Sequence, residues 1–396
     1  MPTKSIDILI IGGGVVGLSL AHALAQRRAG KIVVLERGLP GSGSTGRSAA
    51  ALLPTQPFPV VAQLYKESLA TFSNFGALVG GDCGFVPLPA AILAAEHDLP
   101  ALQEMVTVYQ TSGLDLSLIS PDEFAAREPT AVLDGVAAVA YTPDAGYVDP
   151  TQVAWSYGGA AQNLGVDIVA GLPDSQVVDI LHNGHQVTGV QTAGDTHYKA
   201  KVIILATGAW TPYWLRKLGM SAPLSALRHG LGVLKTPDGA VRPHHLIMDR
   251  AANFYARPDA NTLTLVGGLD QRSYLPIDDL DAEPPTPTTS ELATPRYGLN
   301  ARFPALKGAA LTRSWSGWID TTPDGCPLLG VLPLDGLYLA AGLGGFGLSL
   351  APAIGQALAG MILDDSTAIE QLVQLRYARF DDGMALRASF SFKDML

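Results

Sequence analysis

Two kinds of hydrophobic pattern divide this chain. Residues 6–11, which are apolar except for Asp7, and residues 32–35 are short apolar runs, which are typical of parallel strands buried on both faces. Residues 18–26, which lie between these runs, have a helical pattern. Residues 223–270 instead contain alternating strands separated by turns, as is typical of an antiparallel sheet. The chain therefore combines α/β sequence with antiparallel β sequence.

Both patterns recur further along the chain. The predicted helices are residues 60–78, 152–164 and 348–363, and the predicted buried strands are residues 168–178, 201–208 and 331–341. Asn183-Gly184 predicts a tight hairpin turn between strands at residues 177–181 and 186–191. Residues 276–296 are acidic and rich in proline, which predicts an exposed loop leading into a short helix.

A glycine motif connects the first predicted strand to the first predicted helix. Gly12, Gly14 and Gly17 form G-x-G-x-x-G, in which the first glycine permits a tight turn and the second lets a pyrophosphate approach the backbone. Gly17 lets the helix and the strand pack closely, and the helix N-terminus offers N–H groups to phosphate. Glu36, nineteen residues after Gly17, can accept hydrogen bonds from ribose hydroxyls, and it disfavours the 2′-phosphate of NADP. These features predict a dinucleotide site.

The order of the segments implies a discontinuous arrangement of domains. The fold class predicted is α/β plus antiparallel β, with a Rossmann-like nucleotide-binding domain and a second, sheet-based substrate domain. The predicted bounds are residues 1–85, 141–222 and 311–375 for the nucleotide-binding domain, residues 86–140 and 223–310 for the substrate domain, and residues 376–396 for a C-terminal tail.

Composition narrows the function classes. The 396 residues can form two cores, and the net charge of −10 without a basic stripe argues against a nucleic-acid partner. The two cysteines, Cys83 and Cys326, have no metal-site spacing, so we predict no metal. The first apolar run leads directly into the glycine loop and is not an export signal, so we expect a cytoplasmic protein. Residues 337–363 have transmembrane length, but glycines and Pro352 interrupt them, so we expect a strand, a loop and a buried helix there; peripheral membrane contact stays open.

Three features favour FAD over NAD as the dinucleotide. Residues 203–208 (IILATG) return a strand to the nucleotide-binding domain far downstream of Glu36. Residues 41–50 (GSGSTGRSAA) directly follow that acid and suit a second contact with the pyrophosphate and the flavin edge. Residues 342–350 (GLGGFGLSL) place another helix N-terminus at the cofactor, where its dipole can stabilise the negative charge of a reduced flavin.

With these blocks, residues 5–365 resemble the D-amino-acid oxidase superfamily of FAD oxidoreductases. The pattern is closest to the sarcosine oxidase β subunit, dimethylglycine dehydrogenase and dye-linked proline dehydrogenase. The matching stretches, in order, are GGGVVG with Glu36, GSTGRSAA, KVIILATGAW, NFYARPD, WSGWIDTTPDGCPLLG and LYLAAGLGGFGLSLAPAIG. The resemblance implies a domain that binds FAD and a substrate domain whose antiparallel sheet covers the flavin.

The resemblance also implies a set of cofactor-binding residues. They are Gly12, Gly14, Val15, Val16, Gly17, Glu36, Arg37, Ser44, Thr45, Arg47, Ser48, Ala49, Ala50, Val177, Thr207, Gly208, Trp210, Gly317, Gly344, Gly345, Phe346, Gly347 and Leu348. Some relatives attach flavin covalently, through a histidine where this chain has Arg47 or through a cysteine where it has Gly317. Cys326 lies beyond that position, so the resemblance implies noncovalent FAD.

The family reaction is hydride transfer from the carbon beside an amine to flavin N5, which gives an imine that water hydrolyses. An apolar pocket favours the neutral amine that this reaction needs, because burial disfavours charge. Phe254 and Tyr255 are the candidates for the cover above the flavin. Glycine-oxidase-type relatives bind the substrate carboxylate with an arginine where this chain has Ile319. The remaining candidates for that role are Arg257, Arg228-His229 and His244-His245.

Several alternatives remain open from the sequence. The substrate could be a 2-hydroxy acid instead of an amine or amino acid, or the chain could serve as a flavin-bearing subunit of a larger complex. The electron acceptor could be oxygen, a quinone or a partner protein. The position of the lysine that promotes oxygen reduction in some relatives falls at residues 264–265, which are not basic, and this favours a dehydrogenase. Both hetero- and homo-oligomers are compatible with the sequence.

Overall fold

The computed structural model describes residues 2–260, 262–270, 273–277 and 279–387. The strands are β1 Thr3–Ser5, β2 Ile8–Ile11, β3 Ile32–Glu36, β4 Ala51–Leu52, β5 Val86–Pro87, β6 Ala90–Ala94, β7 Ser117–Ile119, β8 Ala138–Thr142, β9 Gly146–Tyr147, β10 Asp167–Ala170, β11 Val177–His182, β12 Val187–Thr192, β13 His197–Lys199, β14 Val202–Leu205, β15 Ser225–Lys235, β16 Leu246–Asp249, β17 Phe254–Pro258, β18 Leu263–Gly268, β19 Tyr274–Pro276, β20 Ala310–Thr321, β21 Leu328–Val331 and β22 Leu337–Ala341. The helices are α1 Val15–Gln26, α2 Pro59–Ser73, α3 Phe75–Leu78, α4 Leu99–Thr111, α5 Pro121–Arg127, α6 Pro150–Asn163, α7 Thr211–Lys217, α8 Ala293–Arg302, α9 Gly347–Ile362 and α10 Ser366–Leu372.

A six-stranded sheet forms the centre of the nucleotide-binding part. Its strand order is β10, β3, β2, β14, β22 and β21, and all neighbouring pairs are parallel except β21 and β22. All four side chains of β2 are buried, as the apolar run predicts. The Rossmann-like part of the predicted fold class is confirmed.

Two predicted strands are corrected by the structure. The predicted strand at residues 331–341 is a hairpin of β21 and β22, because Pro333 cannot donate to a strand ladder and Gly336 adopts a φ of 77° in the turn. The predicted strand at residues 168–178 is interrupted by a short 3₁₀ turn at Pro173–Ser175, so β10 ends at Ala170 and β11 begins at Val177.

The first and last helices of the nucleotide-binding part lie against each other. A Cβ atom on Gly355 of α9 would lie 2.7 Å from the Ser19 backbone of α1, so the absence of a side chain permits the close approach. The Ser19 hydroxyl donates to the Ala351 carbonyl oxygen at 2.8 Å. Residues 344–362 are long and apolar enough to cross a membrane by length and composition alone, yet 72% of that window is buried, which fits the expected core helix.

A second, larger sheet covers the carboxyl ends of these strands. Its order is β19, β15, β18, β17, β16, β6, β8 and β7, and β20 also pairs with β15. Strand β20 runs antiparallel to β15 from Ser225↔Thr321 to Lys235↔Ala310. The second sheet therefore includes residues 310–321, whereas the predicted boundary gave residues 311–375 to the nucleotide-binding domain. The strand joins the second sheet because it pairs with β15 along almost its whole length.

The predicted C-terminal tail begins on the protein core. The Arg379 side chain is fully buried and donates to both carboxylate oxygens of Asp324, each at 2.8 Å. Residues 388–396, the rest of that predicted tail, lie outside the described residues. Residues 376–387 therefore belong to the folded unit.

Candidate functional site

One large pocket lies between the carboxyl edge of the parallel sheet and the inner face of the antiparallel sheet. Its volume is about 700 Å³. The parallel sheet supplies the floor, which consists of the loops after β2, β3, β14 and β22. The antiparallel sheet supplies the roof, which consists of side chains on β15, β16, β17, β19 and β20. All of the predicted cofactor-binding residues line this pocket except Gly17.

The conformation of the glycine loop explains why Gly12 lines the pocket and why Gly17 does not. Gly12 has a φ of 112°, and a Cβ atom there would lie 2.3 Å from the Ala206 carbonyl oxygen. A Cβ atom on Gly17 would lie 2.1 Å from the Gly12 carbonyl oxygen. Gly17 therefore supports the loop from behind, through the close helix packing that the sequence predicts, and does not itself line the pocket.

Helix α1 directs its N-terminus into the pocket. The helix begins at Val15, immediately after Gly14, which is three residues earlier than the hydrophobic pattern predicts. The Val15 N–H donates to the Thr45 hydroxyl at 3.1 Å, and this bond connects the glycine loop to the second cofactor loop. The first turn of any helix has N–H groups without partners inside the helix, and its dipole favours an anion such as pyrophosphate.

The Glu36 carboxylate is fixed at the end of β3. Its Oε2 accepts from the Gly13 N–H and its Oε1 accepts from the Gly38 N–H, both at 2.7 Å. Each carboxylate oxygen keeps a further acceptor site. The geometry therefore presents an oriented acceptor to the two hydroxyls of a ribose, as the sequence predicts.

The opposite end of the floor is built from small residues. Helix α9 begins at Gly347, directly after the turn Gly344–Phe346, and these residues line the pocket. Beside them, Asp320 Oδ2 accepts from the Gly342 N–H at 2.5 Å, and burial raises the pKa of this carboxyl. Above them, a Cβ atom on Gly317 would lie 3.1 Å from Arg47 Cβ. The groove therefore fits a dinucleotide at one end and a broad flat ring at the other.

An acidic segment crosses the rim of the groove. In this segment, Leu280–Pro284, Asp281 accepts from Arg37 at 2.5 Å and from the Trp210 indole N–H at 2.8 Å. Glu283 accepts from Arg47 at 2.6 Å. The side chains of both acids are more than two thirds exposed, which agrees with the predicted exposed loop. The sequence did not predict that the loop would contact the cofactor groove.

Three aromatic side chains form the centre of the roof. His229 Nε2 lies 3.0 Å from the Tyr255 hydroxyl, and His229 Nδ1 lies 2.9 Å from the Ser273 carbonyl oxygen. The His229 ring stacks on Tyr274 at a centroid distance of 4.6 Å. Burial lowers the pKa of the His229 imidazole to about 4 and raises the pKa of the Tyr255 phenol. Both groups are therefore neutral at pH 7.

Phe254 does not belong to the roof, although the sequence pattern made it a candidate. Neighbouring residues of a strand point to opposite faces, so Phe254 and Tyr255 cannot both face the pocket. Tyr255 lines the pocket, whereas Phe254 is fully buried on the other face and lies against Gly298 of α8. Phe254 is therefore a core residue.

The two candidate arginines also lie outside the pocket lining. Arg228 points away from the neighbouring His229 and pairs with Glu291 at 2.5 Å. Arg257 donates from Nε to the Ala49 carbonyl oxygen at 2.7 Å and pairs with Asp259 at 3.2 Å. Both guanidinium groups are engaged in protein contacts and neither arginine lines the pocket, which favours a structural role over the predicted catalytic one.

His244 and His245 have a structural role as well. Both imidazoles bond to the fully buried carboxylate of Glu128, at 3.1 Å and 2.9 Å from their Nδ1 atoms. Burial alone would raise the pKa of Glu128, but hydrogen bonds from His245, Thr130 and the His244 N–H lower it to about 2. These histidines do not line the pocket.

Several pocket residues were not identified from the sequence. Tyr274, Trp318, Leu246, Met248 and Leu269 line the roof side of the pocket. They lie on β16, β19 and β20 and directly after β18, and only the pairing of the strands in this sheet brings them together. Alternation along a single strand could have separated Tyr255 from Phe254, but no local signal identifies the others.

Comparisons with known proteins agree with this geometry. Residues 7–361 match the family model described as FAD dependent oxidoreductase (DAO). The chain is 25% identical over 382 residues to the sarcosine oxidase subunit beta of an Arthrobacter species, covering 92% of this chain and 88% of that protein. It is also 25% identical to glycine oxidase of Geobacillus kaustophilus, with 93% and 96% of the two chains covered.

The similarity of this chain to a solved structure agrees with these sequence comparisons. L-proline dehydrogenase from P. horikoshii matches with a TM-score of 0.86 and 25% identity, and the match covers 98% of this chain and 100% of that chain. The glycine loop, the oriented carboxylate and the second helix N-terminus described above fit FAD. The chain therefore belongs to the DAO family of FAD dependent oxidoreductases, and it is an enzyme that uses FAD.

Proposed function

We propose that this enzyme oxidises the C–N bond of a secondary amine or an amino acid. The observation that carries the proposal is the neutral aromatic roof, His229 with Tyr255 and Tyr274, in the same pocket as the flavin-type floor. The names of its relatives, among them sarcosine oxidase subunit beta and L-proline dehydrogenase, support the same substrate class.

The floor residues of this chain would hold and orient the cofactor. Glu36 would accept from the ribose, the N-terminus of α1 would hold the pyrophosphate, and the turn Gly344–Phe346 would lie beside the ring. Bound FAD supplies the acceptor for a hydride. Every other part of the reaction depends on positioning the substrate C–H bond.

The roof residues would select the reactive form of the substrate. Leu231, Met248 and Leu269 line the same pocket and would exclude water from it when a substrate is bound. A pocket with this lining favours a neutral amine, because burial disfavours the ammonium form. The nitrogen lone pair of the neutral amine can then assist loss of hydride from the adjacent carbon, which leaves an iminium ion for hydrolysis by water.

Anaerobic reduction of the bound flavin tests this proposal directly. Purified enzyme is mixed without oxygen with sarcosine, L-proline, other amino acids and matched 2-hydroxy acids, and the visible flavin spectrum is recorded. We expect bleaching by one or more amines and none by hydroxy acids. Bleaching by hydroxy acids alone would assign the site to another substrate class.

We propose further that FAD is held without a covalent bond and that the electrons leave to a partner. Arg47 and Gly317 lie in the pocket where other family members were expected to have an attachment residue. Similarity to a protein named subunit beta supports work within a complex. Acid precipitation should release all flavin into the supernatant, and amine oxidation by the isolated chain should be faster with an artificial dye than with oxygen.

A further inference from the structure

The hydrogen positions on His229 follow from its two partners. The Ser273 carbonyl oxygen can only accept, so His229 Nδ1, at 2.9 Å, carries the ring hydrogen. Because the imidazole is buried and neutral, its Nε2 has no hydrogen and is an acceptor. The Tyr255 hydroxyl, 3.0 Å from Nε2, must therefore donate its hydrogen to His229.

The hydrogen bond to His229 occupies the single O–H donor of Tyr255. A phenol has one O–H, and burial keeps that phenol protonated by raising its pKa. With the hydrogen directed to His229, the oxygen presents only lone pairs to the pocket. Tyr255 can accept a hydrogen bond from a bound substrate, and it cannot donate one.

The position of the Tyr255 ring depends on a residue with no side chain. Gly267 of β18 is the direct partner of Tyr255 on β17. A Cβ atom on Gly267 would lie 2.4 to 2.6 Å from three atoms of the Tyr255 side chain, including the hydroxyl oxygen. The phenol therefore lies flat across the sheet over Gly267, and this direction brings its oxygen to His229.

We propose that Gly267 and His229 fix Tyr255 as the acceptor for the N–H group of the substrate amine. The proposal rests on the proposed function, since an acceptor at this point has a use only if the substrate carries an N–H. A neutral secondary amine has one N–H group. When that group bonds to Tyr255, the nitrogen lone pair stays free to assist hydride loss.

The arrangement makes the enzyme selective against tertiary amines. A neutral tertiary amine has no N–H, so the lone pairs that the Tyr255 oxygen presents to the buried pocket would have no donor. A carboxylate oxygen would meet the lone pairs of Tyr255, which disfavours binding of an acidic group at this point. Gly267 is a positioning residue in this scheme, because it acts through Tyr255.

The first test compares two pairs of substrates in the FAD-loaded enzyme. The pairs are sarcosine with N,N-dimethylglycine, and L-proline with N-methyl-L-proline, each assayed with an artificial dye. The wild type should prefer the secondary amine in kcat/KM by about tenfold, which is the range of one buried hydrogen bond. In Tyr255→Phe and Gly267→Ala this preference should fall toward unity.

The controls separate positioning from stability. Gly159→Ala lies in α6, where an added Cβ meets no atom within 4 Å, so it should keep the wild-type preference. Bound FAD per chain and the melting temperature show whether each variant folds. If Gly267→Ala does not fold, Tyr255→Phe, which keeps the ring, still gives the answer. A Gly267→Ala enzyme that folds and keeps the full preference would overturn the positioning role.

The second test asks whether Tyr255 donates or accepts. Acetate binding to the oxidised enzyme is followed by the change in the flavin spectrum. If Tyr255 accepts, Tyr255→Phe leaves the acetate Kd unchanged or lowers it. If acetate binds about tenfold more weakly to the variant, Tyr255 is a donor and the proposal is wrong.

The outcomes for the two proposals are distinct. A wild type whose flavin no amine reduces would contradict the proposed function. A wild type reduced by amines, with a preference that survives Tyr255→Phe, would contradict only the acceptor role.

Discussion

The floor and the roof of the pocket recognise their ligands with different parts of the chain. The floor uses the main chain: Gly13 and Gly38 N–H groups orient Glu36, and helix α1 directs its N-terminus toward the groove. The roof uses side chains, namely the hydrogen-bonded pair His229 and Tyr255 with Tyr274 stacked beside them. Main-chain recognition needs glycines at a few fixed positions, whereas the roof needs particular functional groups. The difference implies that substitutions in the two regions will fail in different ways.

The largest effect is expected in the floor, from Gly12→Ala. The backbone at Gly12 has a positive φ, and the added Cβ would overlap the Ala206 carbonyl oxygen, which belongs to the main chain and cannot move aside. We expect a chain that no longer retains FAD during purification. The measurement is the ratio of flavin absorbance at 450 nm to protein absorbance, with Gly159→Ala as the matched control. Normal flavin content in Gly12→Ala would show that the loop is less constrained than its geometry implies.

The roof should make stability depend on pH in a defined window. The pKa of His229 is lowered from 6.5 to about 4, so between these values the unfolded chain binds a proton that the folded chain does not. The contribution of His229 to the free energy of unfolding is therefore largest above about pH 6.5. It decreases as the pH falls to about pH 4, by about 3 kcal/mol in total. Glu128, with a pKa of about 2, contributes in a separate window below pH 4.5.

Melting temperatures of the wild type and His229→Gln, measured from pH 7 to pH 4, check this window. The difference between the two proteins should shrink as the pH falls, because only the wild type must protonate a buried imidazole. A difference that stays constant across the range would mean that folding leaves the pKa of His229 unchanged.

An effect of similar size on stability is expected where the roof contacts the floor. Arg257 on β17 donates to the Ala49 carbonyl oxygen, and its guanidinium lies 4.2 Å from the Tyr147 ring centroid. Arg257→Gln should lower the free energy of unfolding by about 2–4 kcal/mol, since Asp259 loses one of its two arginine partners. Steady-state kinetics should show an unchanged KM, and a large rise in KM would restore Arg257 as a substrate-binding residue.

The smallest effect is expected at the exposed rim. Asp281 and Glu283 hold Arg37 and Arg47 across the groove, but exposed ion pairs contribute only about 0–1 kcal/mol each. The double variant Asp281→Asn, Glu283→Gln should release FAD a few-fold faster at low salt, as followed by the fluorescence of free flavin. The difference should vanish in high salt because the pairs are screened. Equal release rates at low salt would show that this segment does not retain the cofactor.

The same difference between main-chain and side-chain recognition explains how well the sequence predicted the floor and the roof. Gly12, Gly14 and Glu36 lie within 25 residues of one another, and their spacing alone gives the geometry of the first half of the floor. The second half, Gly344–Phe346, follows a strand and starts a helix, so local pattern identifies it as well. Local signals are sufficient wherever the main chain does the binding.

The roof could not be predicted in this way. His229 and Tyr274 become neighbours only through the pairing of β15 with β19, and Tyr255 reaches them across the vacant side-chain position of Gly267. Arg228 and Arg257 looked suitable as isolated cations, but their partners Glu291 and Asp259 show that both belong to the scaffold. Strand alternation excluded Phe254 in the structure, and the sequence carries that alternation, so this error was avoidable.

The contact between α1 and α9 sets an order of events for a newly made chain. Gly355 lies directly against Ser19, although 336 positions separate them along the polypeptide. During translation, helix α1 gains this packing partner only after the ribosome has added more than 300 further residues. A nascent fragment that stops before residue 347 has no α9, so its α1 lacks this contact and its groove lacks the second helix N-terminus.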